Sequence, residues 1–502
     1  MRPARGTWIL AAVLVAQLLP IWLLPFFPTQ DGSTHMTIAR VLRDDGRPEY
    51  PVLREVFERN GEAVSNRFIY FILADVLRFV SVPAAEKILL SAYVILLPLA
   101  VRYAVTGVVA GGGENASLAL LALPFTFNYL LTMGFYNFSL SLVAFFVALG
   151  WWLRRRDDFG PRAALVFAAL SMWVYFCHVV TLVALLVTVG TAALAKRDLR
   201  GIAWLVLSGT PAAVLTFSYA GGMGDYKGWL PFTERLWRLG TLNALVTVDS
   251  RTDLLAAALA IALAAVGFRL LAEKHRAEKN QETGLGLAIV ALLVLALAAP
   301  QAIGVGNFIT DRLVLFPYMV LIPWLAAFEH GPRRRLGLEI LGAGVALALL
   351  CLLVPRWRDA NHYLAEMTPA LELVEPGGTY LPVAFSWAGE TPDGPLFHRV
   401  YPFLHAGDQV SARRAVANLN LFAAGTDAFP IRYRPERDPF THLRMRDGWV
   451  LSDRIDYVMI WWPRADEPKL VGTSRLLGQL ETGYDRVYTS PRDLVRLYRR
   501  RR

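Results

Sequence analysis

Two side chains that can move a proton or hold a metal follow the first long apolar stretch of the chain. Asp31 and His35 are four positions apart, so both face one cavity if a helix that starts near Ser33 extends back to Asp31. A carboxylate there can act as general base towards an attacking hydroxyl, or Asp31 and His35 can hold a divalent metal. The alternative is that Asp31 only caps the helix and His35 lies on the surface.

Two further groups lie at predicted outward turns between apolar stretches. Tyr136 and Asn137 belong to the segment Gly134–Phe138, which follows Phe127-Asn128-Tyr129. Aromatic rings and amides there can line a site for a sugar or a lipid headgroup, although an aromatic belt at the membrane interface explains each residue singly. His178 follows Tyr175-Phe176-Cys177 and is either a ligand or an ordinary interfacial side chain.

Three cations are candidates for holding a phosphate. Arg312 follows Asp311 in a short outward loop, and a guanidinium is well suited to clamp a phosphate. An ion pair within the loop, or a snorkelling anchor, is the alternative. Arg67 and Lys227 in the outer loops are further candidates. The sequence has no P-loop, CxxC or HExxH pattern and no dinucleotide-binding fingerprint.

The composition says which kind of protein must position these groups. Of 502 residues, 55% are hydrophobic and only 18% are charged, whereas soluble domains have about 25% charged residues. The shortfall comes from long apolar blocks along residues 1–354, which indicates an integral membrane protein and excludes a soluble enzyme, a disordered chain and a disulfide scaffold. The net charge of +10 sits largely in short loops, where it reports topology and not nucleic-acid binding.

The apolar blocks predict an all-α polytopic bundle with about eleven crossings, because a helix needs about 20 apolar residues to span the membrane. Short basic loops place the N-terminus in the cytoplasm and the C-terminus outside. Residues 67–80 carry three charges and are predicted to lie at the outer interface, within a first outer loop over 29–83. The predicted crossings are approximately residues 8–26, 84–107, 115–132, 135–153, 163–177, 178–195, 201–220, 252–271, 285–305, 313–328 and 337–354.

The tail, residues 355–502, has an ordinary soluble composition and is predicted to form a small α/β domain on the outer face. Residues 379–383 and 456–462 read as strands, and Ala412–Phe422 and Ser474–Glu481 read as helices. Residues 1–354 form the transmembrane domain in this division.

This organisation resembles the GT-C superfamily of integral membrane glycosyltransferases, which includes protein O-mannosyltransferases and lipid A aminoarabinose transferases. The residues that carry the resemblance are short motifs in a fixed order: Gln30-Asp31 after the first span, Asn66-Arg67-Phe68-Ile69-Tyr70 in the loop, Phe127-Asn128-Tyr129 with Gly134–Phe138, and Asp456-Tyr457-Val458-Met459 in the tail.

The resemblance implies a transferase in the cytoplasmic membrane that takes a sugar from a polyprenyl-phosphate donor. The acceptor would be a hydroxyl of a lipid, glycan or protein at the outer face, and the tail would be periplasmic or extracellular. Asp31 matches the acid that activates the acceptor, and basic outer residues would hold the donor phosphate. The chain departs from many members at Gly32, where they have a second acid, and near Gly134, where several have a carboxylate. His35 would fill the gap with a metal, or no metal is used.

Two other functions remain open from the sequence. A lipid or solute transporter is one, although coupled transporters tend to carry ionisable residues deep inside their spans, and the span centres here are almost free of charge. A non-catalytic relative that serves as an assembly partner in the membrane is the other, because the second acid is missing.

Overall fold

The structure, a computed structural model, describes residues 5–62, 64–109, 112–222, 224, 226–273, 279–391, 394–439, 444–445, 448–449, 451, 455–463 and 473–501. It is a helical membrane bundle that carries a small strand-containing domain at its C-terminal end. The α-helices of the described residues are α1 Arg5–Leu23, α2 Gly32–Asp44, α3 Pro51–Val56, α4 Phe68–Val76, α5 Val82–Val108, α6 Tyr129–Thr132, α7 Tyr136–Arg155, α8 Pro161–Cys177, α9 Val179–Lys196, α10 Leu199–Gly222, α11 Phe232–Gly240, α12 Thr252–Ala272, α13 Lys279–Ala298, α14 Ile309–Leu313, α15 Leu315–Leu325, α16 Pro332–Leu364, α17 Thr368–Leu373, α18 Asp408–Arg414 and α19 Thr473–Gly483.

Among the described residues, seven helices are long and apolar enough to cross a membrane: α1, α5, α7, α9, α10, α12 and α16. Three shorter apolar helices, at Asn115–Phe125, Pro161–Cys177 and Thr283–Ala298, add to them. Each predicted crossing contains a helix, which confirms the predicted fold class. The number of crossings and the orientation stay predictions.

The predicted crossing at 115–132 differs in kind from the others. It is a 3₁₀ helix, Gly112–Phe125, followed by a break and the short helix α6. A 3₁₀ helix rises about 2.0 Å per residue, so its 14 residues extend about 28 Å, nearly the thickness of the hydrocarbon core. A 3₁₀ helix of this length would therefore extend across the hydrocarbon core with fewer residues than an α-helix needs.

The first outer loop is folded and not extended. It contains α2, α3, the strand β1 (Phe57–Arg59) and α4. The predicted interfacial helix at 67–80 is α4, which ends at Val76 and exposes Phe71 while it buries Tyr70 completely. One face of α4 therefore packs on protein and the other is left for lipid or solvent.

The tail folds around a five-stranded mixed sheet. The strands of the described residues after β1 are β2 Lys227–Gly228, β3 Ala302–Ile303, β4 Thr379–Ala384, β5 Glu390–Thr391, β6 Gly394–Pro395, β7 Ala417–Asn418, β8 Ile431–Tyr433, β9 Arg444–Met445, β10 Gly448–Trp449, β11 Tyr457–Trp461, β12 Tyr484–Thr489 and β13 Val495–Arg500. The order in the large sheet is β12-β13-β11-β4-β7; β4 runs parallel to β11 and β7, and β13 runs antiparallel to β11 and β12.

One predicted helix of the tail is wrong in its extent. The helix expected over Ala412–Phe422 is α18, which starts at Asp408 and ends at Arg414. Ala415 has a positive φ of 52°, a left-handed residue that ends a helix, and the chain then enters β7 beside β4. The local alanine-rich pattern favoured a longer helix, but pairing with the sheet determines the outcome.

The tail packs onto the first outer loop and the end of the bundle. Strand β8 pairs antiparallel with β1 of the loop. Helix α16 continues to Leu364 and so crosses the predicted boundary at 354. The Asn361 side chain donates to the carbonyl oxygen of Phe26 and accepts from its amide at 2.8 Å. These contacts bring the tail to the segment that contains Asp31.

Candidate active site

The backbone of Asp31 is held by the loop between α6 and α7. The amide of Gln30 donates to Thr132 O at 3.0 Å, and the amide of Asp31 donates to Met133 O at 3.1 Å. Gly134 has φ 88°, and a Cβ there would lie 2.8 Å from the nitrogen of Gly32 and 2.9 Å from that of Asp31. A glycine is therefore required both for the turn and for the close approach.

The side chain of Asp31 does not cap α2, which was one alternative that the sequence left open. Asp31 is the N-cap residue of α2, but within the described part of the chain its carboxylate receives no capping hydrogen bond. The carboxylate accepts from Gln30 Nε2 at 3.2 Å and lies 3.7 Å from Nε2 of His405. Only 6% of the residue is exposed. Burial, with the nearby charge of Asp408, raises the pKa of Asp31 to about 7, so the group titrates near neutral pH.

The tail forms one wall around Asp31. The Ser33 hydroxyl donates to the carbonyl oxygen of His405 at 2.6 Å, and the amide of Tyr401 donates to Gln30 Oε1 at 3.1 Å. Asp408 is buried and accepts from Thr34 and, at 2.7 Å, from Asn418. Burial lowers the pKa of His405 to about 4, so at neutral pH this imidazole is uncharged beside Asp31.

His35 does not complete a metal site with Asp31. Its Nδ1 lies 2.7 Å from the hydroxyl of Tyr70, and its ring packs against Tyr136 and Phe429. Burial, with the nearby His405, lowers the pKa of His35 to about 3. In the described ranges no three His, Cys, Asp or Glu side chains come close enough to hold a metal ion. The side chains around Asp31 therefore do not fit a divalent ion, and no step is assigned to one.

A cavity of about 650 Å³ opens beside Asp31 and gathers most of the predicted site residues. The predicted residues that line it are Asp31, His35, Tyr136, His178 and Arg312. Much of the remaining wall is apolar and comes from α9, α13 and the segment before α14. A polar end beside a long apolar wall suits a ligand with a charged head and a hydrocarbon chain.

Arg312 supplies positive charge to this cavity. Among the described residues that line it, Arg312 is the one arginine, and none is a lysine. Its guanidinium carbon lies 4.8 Å from the ring centroid of Phe135 and 5.6 Å from that of Phe138. Burial lowers the pKa of Arg312 to about 10, so it still carries its charge at neutral pH. Among the described residues, the Asp311 carboxylate bonds to Arg238, Gln301 and Arg399 and forms no ion pair with Arg312.

The other predicted donor-binding residues have different positions. Arg67 is buried away from the cavity lining and donates to Asn60 O at 2.7 Å. Asn137 accepts from the amide of Ile69 and donates to Asn66 O, both at 3.0 Å, so it anchors the start of α4. Lys227 is exposed on β2, outside the cavity lining. His178 lines the cavity and also caps α9 by accepting from Val180 N at 3.3 Å.

Three polar residues near Asp31, namely His405, Asp408 and Glu86, were not predicted from the sequence. His405 was missed because the tail was treated as a separate domain. Glu86, on α5, is 5% exposed and accepts from the Tyr136 hydroxyl at 2.6 Å. A Cβ at Gly32 would lie 2.5 Å from Glu86 Oε1, so this acid occupies the space beside Asp31. The signal in the sequence that could have identified Glu86 is its position as an acid near the start of an apolar helix.

Comparison with solved structures identifies the architecture. The chain is similar to ArnT from Cupriavidus metallidurans, solved as a crystal structure in the apo state. The TM-score is 0.55 at 9% sequence identity, over 98% of this chain and 97% of that chain. The chain has an ArnT-like fold. At 9% sequence identity the likeness is one of fold.

A second solved structure also matches this chain. The cryo-EM structure of the arabinofuranosyltransferase AftD from Mycobacteria gives a TM-score of 0.49 at 14% identity, over 99% of this chain and 40% of that chain. No family model matches the chain, and no curated protein matches it.

Proposed function

We propose that this protein is a membrane glycosyltransferase that moves a sugar from a polyprenyl-phosphate donor to a hydroxyl of a lipid, glycan or protein. The observation that carries the proposal is the cavity that Asp31 and Arg312 share beside a long apolar wall. The ArnT-like fold supports it. The reaction would take place at the outer face of the cytoplasmic membrane, with the tail in the periplasm or outside the cell.

Asp31 is assigned as the general base. The acceptor oxygen attacks the anomeric carbon of the sugar, Asp31 takes the hydroxyl proton, and the bond from that carbon to the phosphate oxygen breaks. Polyprenyl phosphate leaves with the electron pair. A base contributes most when its pKa lies close to the working pH, and the pKa of about 7 for Asp31 meets that condition.

Arg312 is assigned to the donor phosphate. Negative charge builds up on the phosphate as the bond to the sugar breaks, and a guanidinium in a water-poor site stabilises that charge strongly. The stacking of Arg312 over Phe135 and Phe138 holds the group in place before the donor binds. The apolar wall formed by α9 and α13 would take the first isoprene units of the donor.

The test uses full-length protein in proteoliposomes with radiolabelled polyprenyl-phosphate sugars and a panel of hydroxyl acceptors. Wild-type protein is expected to label an acceptor. Arg312→Gln should lower kcat/KM for the donor about 10- to 1,000-fold. Arg312→Lys should recover part of this loss, because lysine keeps the positive charge but lacks the paired N–H donors of the guanidinium. Arg78→Gln, at an exposed arginine of the same outer loop and outside the cavity lining, is the matched arginine control.

Two results would replace the proposal with another function. Movement of the labelled lipid across the bilayer without an acceptor, and no transfer with one, would indicate a lipid transporter. Neither transfer nor movement with any donor of the panel, together with stable capture of a second membrane protein, would indicate an assembly partner.

A further inference from the structure

A second cavity lies at the other end of the bundle from Asp31. It has a volume of about 470 Å³, and its polar lining includes Arg5, Arg102, Ser117, Arg333, Arg335 and Glu339. Helices α1 and α16 both start at this cavity. At their other ends, Phe26 and Asn361 are hydrogen-bonded near the cavity that contains Asp31. The 19 residues of α1 extend about 28 Å, so the two cavities are separated by nearly the thickness of the hydrocarbon core.

The charges in this cavity are not balanced. Glu339 is the one acid among the described lining residues, and Arg5 pairs with it at 2.6 Å. Arg102 and Arg333 have no ion pair or side-chain hydrogen bond with any described residue. The hydroxyl of Ser117 is buried and also has no hydrogen-bond partner within the described ranges. The cavity therefore contains several unused donors and an excess of positive charge.

The positive-inside rule explains why arginines lie on this side of the bundle. It does not explain why Arg102 and Arg333 line one cavity without a partner among the described residues. Three of the basic residues elsewhere on this side have partners within the protein. Arg154 donates to Gly150 O at 2.9 Å, Lys196 pairs with Asp157 at 2.6 Å, and Arg334 pairs with Glu273 at 2.7 Å. Arg102 is only half-buried on an apolar helix, where an unpaired charge is costly. A bound anion would offset that cost.

We propose that this cavity binds a phosphate group, supplied by an anionic lipid headgroup or by a soluble phosphate. Arg102 and Arg333 converge on one concave surface, and guanidinium groups hold phosphate oxygens with paired hydrogen bonds. The buried Ser117 hydroxyl provides one more donor. Leu10, Leu120 and Leu336 line the same cavity, and a glycerolipid bound there would have apolar surface for the start of its acyl chains.

The experiment is native mass spectrometry of the full-length protein in detergent, titrated separately with phosphatidylglycerol, phosphatidylcholine and inorganic phosphate. Each basic residue at an anionic lipid headgroup contributes about fivefold to its binding, so Arg102→Gln/Arg333→Gln, which removes two such residues from the cavity, should weaken phosphatidylglycerol binding about 25-fold. Arg197→Gln/Arg200→Gln removes the same charge from exposed residues outside the cavity lining and should leave binding unchanged. If Arg102→Gln impairs folding, Arg333→Gln alone, at an exposed residue, should weaken it about fivefold.

The three titrations show whether the phosphate group comes from a lipid headgroup or from a soluble phosphate. Preference for phosphatidylglycerol over phosphatidylcholine, lost only in the cavity variant, supports a lipid headgroup. Binding of inorganic phosphate with the same dependence on Arg102 and Arg333, and no lipid preference, supports a soluble phosphate. Equal weakening in both double variants, or no binding of either probe, would overturn the proposal.

Discussion

Gly134→Ala should disable the protein by moving Asp31, although residue 134 itself carries no reacting group. The new Cβ would lie 2.8 Å from Gly32 N, 2.9 Å from Asp31 N and 3.0 Å from Asp31 C. These atoms are backbone, so they cannot rotate away as a flexible side chain does, and the segment that carries Asp31 must shift.

The cost of Gly134→Ala has two parts. A left-handed φ costs about 1–2 kcal/mol for an L-residue, and an extra methyl group in a tightly packed place costs about 1–3 kcal/mol. Gly46 separates the two parts, because its φ of 86° matches the 88° of Gly134 while no atom lies within 4 Å of its added Cβ. Gly46→Ala should therefore lose about 1–2 kcal/mol, and Gly134→Ala about 2–5 kcal/mol.

The assay compares kcat/KM for sugar transfer and the thermal inactivation temperature of both variants in the same detergent. A displacement of 1 Å can cost about 100-fold in rate, so Gly134→Ala should lose about 10- to 100-fold and Gly46→Ala less than about twofold. If both variants keep the same activity, the loop from Asn128 to Phe135 does not position Asp31 and the reasoning fails.

Two further predictions concern the charge of Asp31. Because the base must be ionised and burial raises its pKa to about 7, the rate should rise about tenfold between pH 6 and pH 8; a rate that is flat over this range would show that the group titrates elsewhere or takes no part. His405→Lys places a cation near Asp31, where the imidazole lies at 3.7 Å, and should move the midpoint of that pH profile down by about 1–3 units. His398→Lys, on an exposed residue of the tail, should leave the midpoint unchanged, and an unmoved midpoint in His405→Lys would show that the two groups are not coupled.

The sequence was informative where one segment of chain carries the signal. The apolar blocks predicted the helices of the bundle, and the order Asp31, Tyr136, His178 and Arg312 contained four residues that line one cavity. Arg67 and Asn137 have the right chemistry, yet Arg67 donates to a carbonyl of the first outer loop and Asn137 holds the start of α4. Whether an amide or a guanidinium faces a ligand or a neighbouring carbonyl depends on tertiary packing. The spacing of residues along the chain does not reveal that packing.

The parts that the sequence did not predict arise from contacts between distant segments. His405 reaches Asp31 because the tail docks on the first loop through β1 and β8. Glu86 approaches Gly32 because α5 and α7 pack side by side and the Tyr136 hydroxyl donates to the Glu86 carboxylate at 2.6 Å. The helix expected at Ala412–Phe422 ends early because the chain joins a sheet. In the helix, tertiary structure overrides a local preference; His405 and Glu86 reach the site through long-range packing.

The role of a carboxylate at residue 31 is tested most directly by Asp31→Asn, compared with Asp45→Asn, a change at a partly exposed acid whose partners are Arg54 and Arg59. The account predicts that Asp31→Asn lowers kcat for sugar transfer about 100- to 10,000-fold and removes the rise through pH 7. Its thermal midpoint at pH 8 should be equal to or above that of the wild type. The raised pKa of Asp31 means that burial disfavours the ionised acid, so the wild-type protein loses stability as the pH rises from about 4 to about 7. Transfer at the wild-type rate by Asp31→Asn would contradict the account.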